Sequence, residues 1–197
     1  LTKRNPKIVL NVGGGPSREV PRVYRGWTQR LLDIDPAVKP DVLCDARQMS
    51  RLRPNQYDAI YCSHTLEHFH RHEVPSVLQG FHRVLQPTGF AQIIVPDMNQ
   101  VFKAIVEGGK DINDVWYTSP GGPITFHDVI YGWGRAVANG NAYYCHKTGF
   151  TEDSLTSALL RAGYTSVRTA ADTRGNLHSF AFKAKPKRAL LEELGCL

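Results

Sequence analysis

The chain has 197 residues, 42% hydrophobic and 21% charged, proportions of an ordinary globular protein that exclude collagen-like, low-complexity and disordered classes. Lys and Arg number 24 against 18 Asp and Glu, so the net charge of +6 permits a nucleic acid or other anionic partner without requiring one. Basic residues are scattered, with Lys3, Arg4 and Lys7 at the start and Lys183, Lys185, Lys187 and Arg188 near the end, and read as a solvated surface. No stretch approaches the ~20 apolar residues that cross a bilayer, and the opening Leu1-Thr2-Lys3-Arg4-Asn5-Pro6 lacks the apolar core of a signal peptide, so no membrane partner is expected. Cys44, Cys62, Cys145 and Cys196 have neither metal-type nor redox spacing, which points to the reducing cytoplasm; Cys44 and Cys62 fall in strand-like runs as small buried residues.

At roughly 100–200 residues per domain, one domain over residues 1–197 is expected. Residues 7–12 form a β-branched run that ends in Gly13-Gly14-Gly15, a strand feeding a tight turn. Similar short apolar runs follow at residues 30–34, 41–44, 57–62 and 90–95, which together predict a sheet covered on both faces. Pro16 and Pro21 leave little room for a first crossover helix, which is expected to be short or distorted. Val74, Val77, Leu78, Phe81, Val84 and Leu85 recur at helical spacing, with Pro75 in the first turn and Gln86-Pro87-Thr88-Gly89 as a stop. Thr151 caps another helix, and strands are expected at residues 165–170 and 177–184. This β/α alternation predicts an α/β fold, a Rossmann-like three-layer sandwich with a mostly parallel sheet and a reversed edge strand. Residues of about 98–145 stand outside the alternation as a covering insertion, with one helix around Val101, Phe102 and Ile105 and another over residues 127–138.

Ligands of open α/β sheets bind at the carboxyl ends of the strands, and polar residues gather there. Gly13, Gly14 and Gly15 free backbone amides after the first strand, and Asp33 follows the second about 20 residues on, where a carboxylate can accept both hydroxyls of a ribose. Asp45 ends the third strand, and Ser63 and His64 end the fourth. A nicotinamide fingerprint is absent, because Arg18 occupies the position three residues after Gly15 where its last glycine would stand.

In order, Asn11-Val12-Gly13-Gly14-Gly15-Pro16-Ser17, Leu32-Asp33-Ile34-Asp35, Cys44-Asp45-Ala46, residues 57–68 and residues 83–90 resemble the motif set of class I S-adenosylmethionine-dependent methyltransferases, and of the small bacterial type 11-like group in particular. The resemblance covers residues 7–97, with His146-Lys147-Thr148-Gly149-Phe150-Thr151 and the last strands resembling the same group less specifically. It implies a seven-stranded sheet and S-adenosyl-L-methionine as cofactor, leaving as S-adenosyl-L-homocysteine. It implies that Asn11 and the turn Gly13, Gly14 and Gly15 hold the methionine moiety, Asp33 with Ile34 the ribose, and Asp45 with Ala46 the adenine, and that Ser63 and His64 stand beside the methyl group. The family's acidic residue at the start of the glycine motif is Asn11 here, and its third glycine is Ser17.

His64-Thr65-Leu66-Glu67-His68 also matches the H-x-x-E-H pattern of inverted zinc peptidases. The pattern begins directly after a strand, Pro75 favours a helix start near residue 73, and no further ligand is nominated, so no metal is expected. His64, His68 and His146 are the catalytic candidates for a general base, with Glu67, Asp97, His127 and Tyr131 as further positions. Cys62-Ser63-His64-Thr65 is not the tetrapeptide of enzymes that methylate exocyclic base nitrogens. Trp116, Tyr117, Phe126, Tyr131, Trp133, Tyr143 and Tyr144 make the insertion aromatic, which favours a small-molecule or glycan-type acceptor. A cofactor-binding protein without catalysis and an RNA or protein methyltransferase remain the alternative readings.

Overall fold

The computed structural model describes residues 6–196. Residues 1–5, which carry the opening segment and the basic residues Lys3 and Arg4, and residue 197 lie outside them. Strand β1 (Ile8–Val12) is followed by a three-residue 3-10 turn at Arg22–Tyr24 in place of a first helix, the outcome expected from Pro16 and Pro21. Next come β2 (Thr28–Asp33), the two-residue β3 (Val42–Leu43), a 3-10 turn (Ala46–Arg51) and β4 (Tyr57–Ser63). Helix α1 (Val74–Val84) buries Val74, Val77, Leu78, Phe81 and Val84 on one stripe, as its spacing dictates. Strand β5 (Leu85–Pro96) begins where a loop is expected: Leu85 pairs with Tyr57, and the Pro87-Thr88-Gly89 stretch is taken up as a bulge before Phe90 rejoins the ladder opposite Ala59.

Between β5 and the C-terminal part lie α2 (Met98–Val106), the hairpin β6 (Val115–Ser119) and β7 (Gly122–Thr125), α3 (Phe126–Tyr131) and α4 (Gly134–Ala138). The single helix expected over residues 127–138 is broken at Gly132, whose φ of 100° and contact with the Tyr144 carbonyl only a residue without Cβ accepts. The chain closes with α5 (Glu152–Arg161), capped by Thr151, then β8 (Ser166–Ala171), β9 (Asn176–Phe182) and α6 (Arg188–Leu194).

The main sheet has seven strands in the order β3-β2-β1-β4-β5-β9-β8. The reversed strand is β9, antiparallel to both neighbours and one place in from the edge, which β8 forms. Helices α1 and α5 cover one face over a core that includes Leu10, Ile60, Phe81, Ile93 and Leu155. Tyr24, Trp27 and the leucines of α6 cover the other, around Phe90 and Phe182, where the Tyr24 hydroxyl donates to Gln92 Oε1 at 2.9 Å. A third cluster, Met98, Val101, Phe126 and Val129, holds the insertion together. All four cysteines are free, with Cys62 fully buried and Cys44 only partly so. Among the described residues no helix is long and apolar enough to cross a membrane.

Candidate active site

Because β1, β2, β3 and β4 run parallel, their last residues share one edge, and the turns that follow them enclose a cavity of about 430 Å³. Gly13 and Gly15 have φ of 69° and 57°, so the first turn exposes backbone where side chains would stand. Asp33 braces that turn: its Oδ2 accepts from the Gly15 amide at 3.2 Å and its Oδ1 from the Asp35 amide at 3.0 Å. Asp45 caps the 3-10 turn by accepting from the Arg47 amide at 2.9 Å, and its carboxyl is held below its usual range first by the Arg47 guanidinium. Arg47 reaches on to Glu73 at 2.6 Å, so one cation ties the two walls of the cavity rim.

Of the residues expected at the cofactor, Gly13, Gly15, Asp33, Ile34, Asp45, Ala46 and His64 line this cavity. Asn11, Gly14 and Ser63 do not. Asn11 is buried behind the glycine turn, where its Nδ2 donates to the Glu19 carbonyl at 3.4 Å, and a Cβ on Gly14 would strike it at 2.2 Å. Ser63 is a ladder residue opposite Ile94. Arg47, Thr65, Phe69, Glu73, Tyr143, Tyr144 and Lys147 also line the cavity, and sequence reasoning had no signal for their convergence.

A second, smaller cavity of about 190 Å³ opens beside the first, and His64, His68 and Tyr144 border both. Its outer walls are Trp116 and Tyr117 of β6, Ile124 of β7, Asp128 of α3, and Trp133; Arg174, Gly175 and Asn176 close it from the β8–β9 turn. His64 sits at φ 49°, a conformation uncommon outside glycine, held by its amide donating to the Ile94 carbonyl at 2.9 Å. The imidazole is about half exposed, and its Nδ1 lies 3.5 Å from Glu67 Oε1. Glu67 is 1% exposed, and neither carboxylate oxygen has a hydrogen-bond partner among the described residues. Burial works to neutralise both groups, but each charge outweighs it for the other: the His64 pKa lies above the ordinary imidazole value and that of Glu67 below the ordinary carboxyl value. Burial depresses the His146 pKa.

The H-x-x-E-H residues do not share a helix face, because residues 66–68 form a 3-10 turn and α1 starts only at Val74. His70 and His72 stack on each other at the surface, 5.6 Å apart. Asp97 caps α2 by accepting from the Asn99 amide, and His127 pairs with Tyr131 on an exposed flank, so none of these three lines either cavity.

Residues 10–93 match the sequence profile of a family described as a methyltransferase domain. Over that stretch the chain resembles a methyltransferase domain in sequence, and its fold is that of class I S-adenosylmethionine-dependent methyltransferases. Among solved structures with this fold is the 1,6-didemethyltoxoflavin-N1-methyltransferase of Burkholderia thailandensis with bound 1,6-didemethyltoxoflavin and S-adenosylhomocysteine, 17% identical over 91% of this chain and 72% of that one, with a TM-score of 0.55. A SAM-dependent methyltransferase from Archaeoglobus fulgidus is 13% identical over 90% of this chain and 86% of that one, at a TM-score of 0.57. The CMeT domain of citrinin polyketide synthase is 14% identical over 92% of this chain and 47% of that one, at 0.56. At these identities the likeness is one of fold. No curated protein matches the chain.

The larger cavity fits S-adenosylmethionine, the cofactor that a methyltransferase domain implies. The glycine turn leaves room against backbone, the Asp33 carboxylate stands at the end of β2, and Leu32, Ile34, Val38 and Ala46 offer apolar walls for a flat purine. Asn11, where the family has an acidic residue, is buried and does not line the cavity, and the carboxylates on its walls are those of Asp33, Asp35, Asp45 and Glu73.

Proposed function

We propose that this methyltransferase acts on a small-molecule or glycan-type acceptor, held in the smaller cavity beneath the cover formed by residues of about 98–145 of a single domain. The observation that carries the reading is the junction at His64, His68 and Tyr144, where a cofactor-sized cavity meets an aromatic one of about 190 Å³. A cavity of roughly 150 Å³ admits benzene, so a single ring or sugar residue fits, and a folded macromolecule could offer only a protruding group.

The bound cofactor supplies an electrophilic methyl on a sulfonium, so the protein's task is alignment at about 3–3.5 Å and exclusion of water. Gly13, Gly15, Asp33, Ile34, Asp45 and Ala46 would hold the cofactor from the strand ends. Trp116, Tyr117, Trp133 and Tyr144 would fix the plane of the acceptor. His64, placed between the cavities with Glu67 at its Nδ1, is positioned to take the proton of an acceptor hydroxyl or ammonium. In this reading the protein works in the cytoplasm.

The test is calorimetric titration with S-adenosylmethionine and S-adenosylhomocysteine, followed by transfer of labelled methyl to pooled small metabolites, to RNA and to protein. Micromolar cofactor binding with label in the small-molecule pool is expected. Label in RNA or protein alone would overturn the acceptor assignment, and binding without transfer to any pool would favour a non-catalytic cofactor-binding role.

A further inference from the structure

Glu67 is a buried carboxylate whose oxygens accept no hydrogen bond among the described residues, and the half-exposed His64 imidazole 3.5 Å away faces only one of them, a costly arrangement for a charge unless further positive charge is held there. One donor atom from each of Glu67, His68 and His146 lies within 4.8 Å of the other two. The two rings stand nearly edge to face, with centroids 4.8 Å apart. His68 Nδ1 is 3.0 Å from the Cys145 carbonyl and His146 Nδ1 is 2.8 Å from the Val129 carbonyl. A carbonyl can only accept, so each Nδ1 carries the proton and each Nε2 is left with a free lone pair. Imidazoles that bind metals are oriented in this way, by an outer hydrogen bond to a carbonyl that fixes the tautomer.

The scaffold is pinned from both sides. Glu67 and His68 are adjacent in the 3-10 turn after β4. The segment bearing His146 is tied down by three main-chain bonds: the His146 amide donates to the Tyr131 carbonyl at 2.9 Å, and the Lys147 and Thr148 amides donate to the Glu67 carbonyl at 2.8 and 3.2 Å.

We infer that Glu67, His68 and His146 form a binding site for one divalent transition-metal ion of the zinc class, through the Nε2 atoms and the carboxylate. The donor set selects the metal: two imidazole nitrogens with one carboxylate suit zinc or its transition-metal relatives, whereas magnesium and calcium take oxygen ligands. Ligand atoms around tetrahedral zinc stand about 3.4 Å apart, so closure requires side-chain adjustments on the order of an ångström. His146 supplies the third ligand that the H-x-x-E-H spacing lacks, and Glu67 takes the place of the first histidine, so the proposal departs from the expectation of no metal. Three protein ligands leave open positions, and His68 and His146 line the smaller cavity, so the ion would take an oxygen of the acceptor, a hydroxyl or a carboxylate. That last role rests on the proposed function; the metal site does not.

The experiment strips the full chain with a chelator, removes the chelator, and titrates Zn²⁺ by calorimetry, with Co²⁺ absorption reporting the coordination. One equivalent of Zn²⁺ is expected in wild type and in a His70→Ala/His72→Ala variant, which removes the exposed histidine pair. Glu67→Gln and His146→Ala should weaken it by more than the roughly 10–100-fold that loss of an outer hydrogen bond costs. Should either buried variant fail to fold, the wild-type Co²⁺ spectrum decides, because intense four- or five-coordinate bands are expected and the weak spectrum of a hydrated ion would count against the site. Absence of binding by folded wild type, survival of binding in both folded ligand variants, or its loss on removing His70 and His72 would overturn the inference. Titrating the same preparations with S-adenosylhomocysteine tests the cofactor reading separately, without metal.

Discussion

Asp33 does two things with one carboxylate. It accepts from the amides of Gly15 and Asp35, joining the turns after β1 and β2, and it stands on the wall of the larger cavity, where in the proposed reading ribose hydroxyls donate to it. Asp33→Ala should therefore weaken S-adenosylhomocysteine binding by roughly tenfold to a hundredfold, the loss of charge-assisted bonds worth ~1.5–3 kcal/mol, and lower the melting temperature as two amides lose their acceptor. Asp33→Asn, which keeps a carbonyl oxygen for one amide, should melt closer to wild type yet still bind more weakly. Calorimetry and thermal melts on the same samples check both, and an unchanged affinity in folded Asp33→Ala would remove Asp33 from the cofactor. Asp33 is legible in the sequence because a strand end fixes where its side chain stands. Asn11 shows the converse, since its strand is legible but the alternation of faces at a strand-to-turn junction is not, and the side chain lies behind the glycines. Glu67 looked like a base in a zinc motif, and nothing local reveals that His146, 79 residues on, packs beside it.

The β8–β9 hairpin closes the smaller cavity, and one acidic residue organises its turn. Asp172 accepts from the amides of Arg174 and Asn176 at 2.8 and 2.9 Å, from Asn176 Nδ2 at 3.1 Å, and pairs with His178 Nε2 at 2.9 Å. Burial pushes its pKa up, but these bonds outweigh it and bring it down to about 2. The unfolded value is about 3.9, so the folded form is favoured wherever the carboxylate is charged in both states. That contribution, on the order of 2 kcal/mol, is complete above about pH 5 and is lost as the pH falls through 4 towards 2. Asp172→Asn should accordingly lower stability at pH 7 and flatten the acid limb of the melting-temperature profile between pH 5 and 2; an acid limb identical to wild type would show that the turn does not depend on this charge. Elements with a single strong period were legible in advance: α1 spans Val74–Val84 as its spacing requires, and the prolines after β1 leave only a 3-10 turn. The hairpin β6–β7 was missed although Val115-Trp116-Tyr117-Thr118 and the Pro120-Gly121-Gly122-Pro123 turn carry its chemistry, because the aromatics read equally well as a lid core. Helix α6 was masked by the lysines before it, although Leu190, Leu191 and Leu194 have helical spacing.

At the scale of the whole molecule, the sheet separates tasks by edge and the insertion joins them. The strand ends provide a cavity that sequence order alone locates, since four parallel strands must deliver their last residues to one side. The smaller cavity arises only when β6, α3 and residue 133 meet the β8–β9 turn some 40 to 60 residues further on, a convergence that no local pattern encodes. This division makes a separable prediction. Trp133 lines the smaller cavity and not the larger, whereas Tyr144, whose ring lies 5.7 Å from that of Trp133, borders both. Trp133→Ala should leave S-adenosylhomocysteine affinity unchanged while raising the acceptor KM roughly tenfold, the loss expected for one aromatic contact. Tyr144→Ala should weaken the cofactor and the acceptor together. Both variants can be read with one calorimetric titration for the cofactor and one initial-rate series for the acceptor found in the transfer screen. If Trp133→Ala weakened cofactor binding as much as Tyr144→Ala did, the two cavities would be a single site and the insertion would hold the cofactor rather than choose the acceptor.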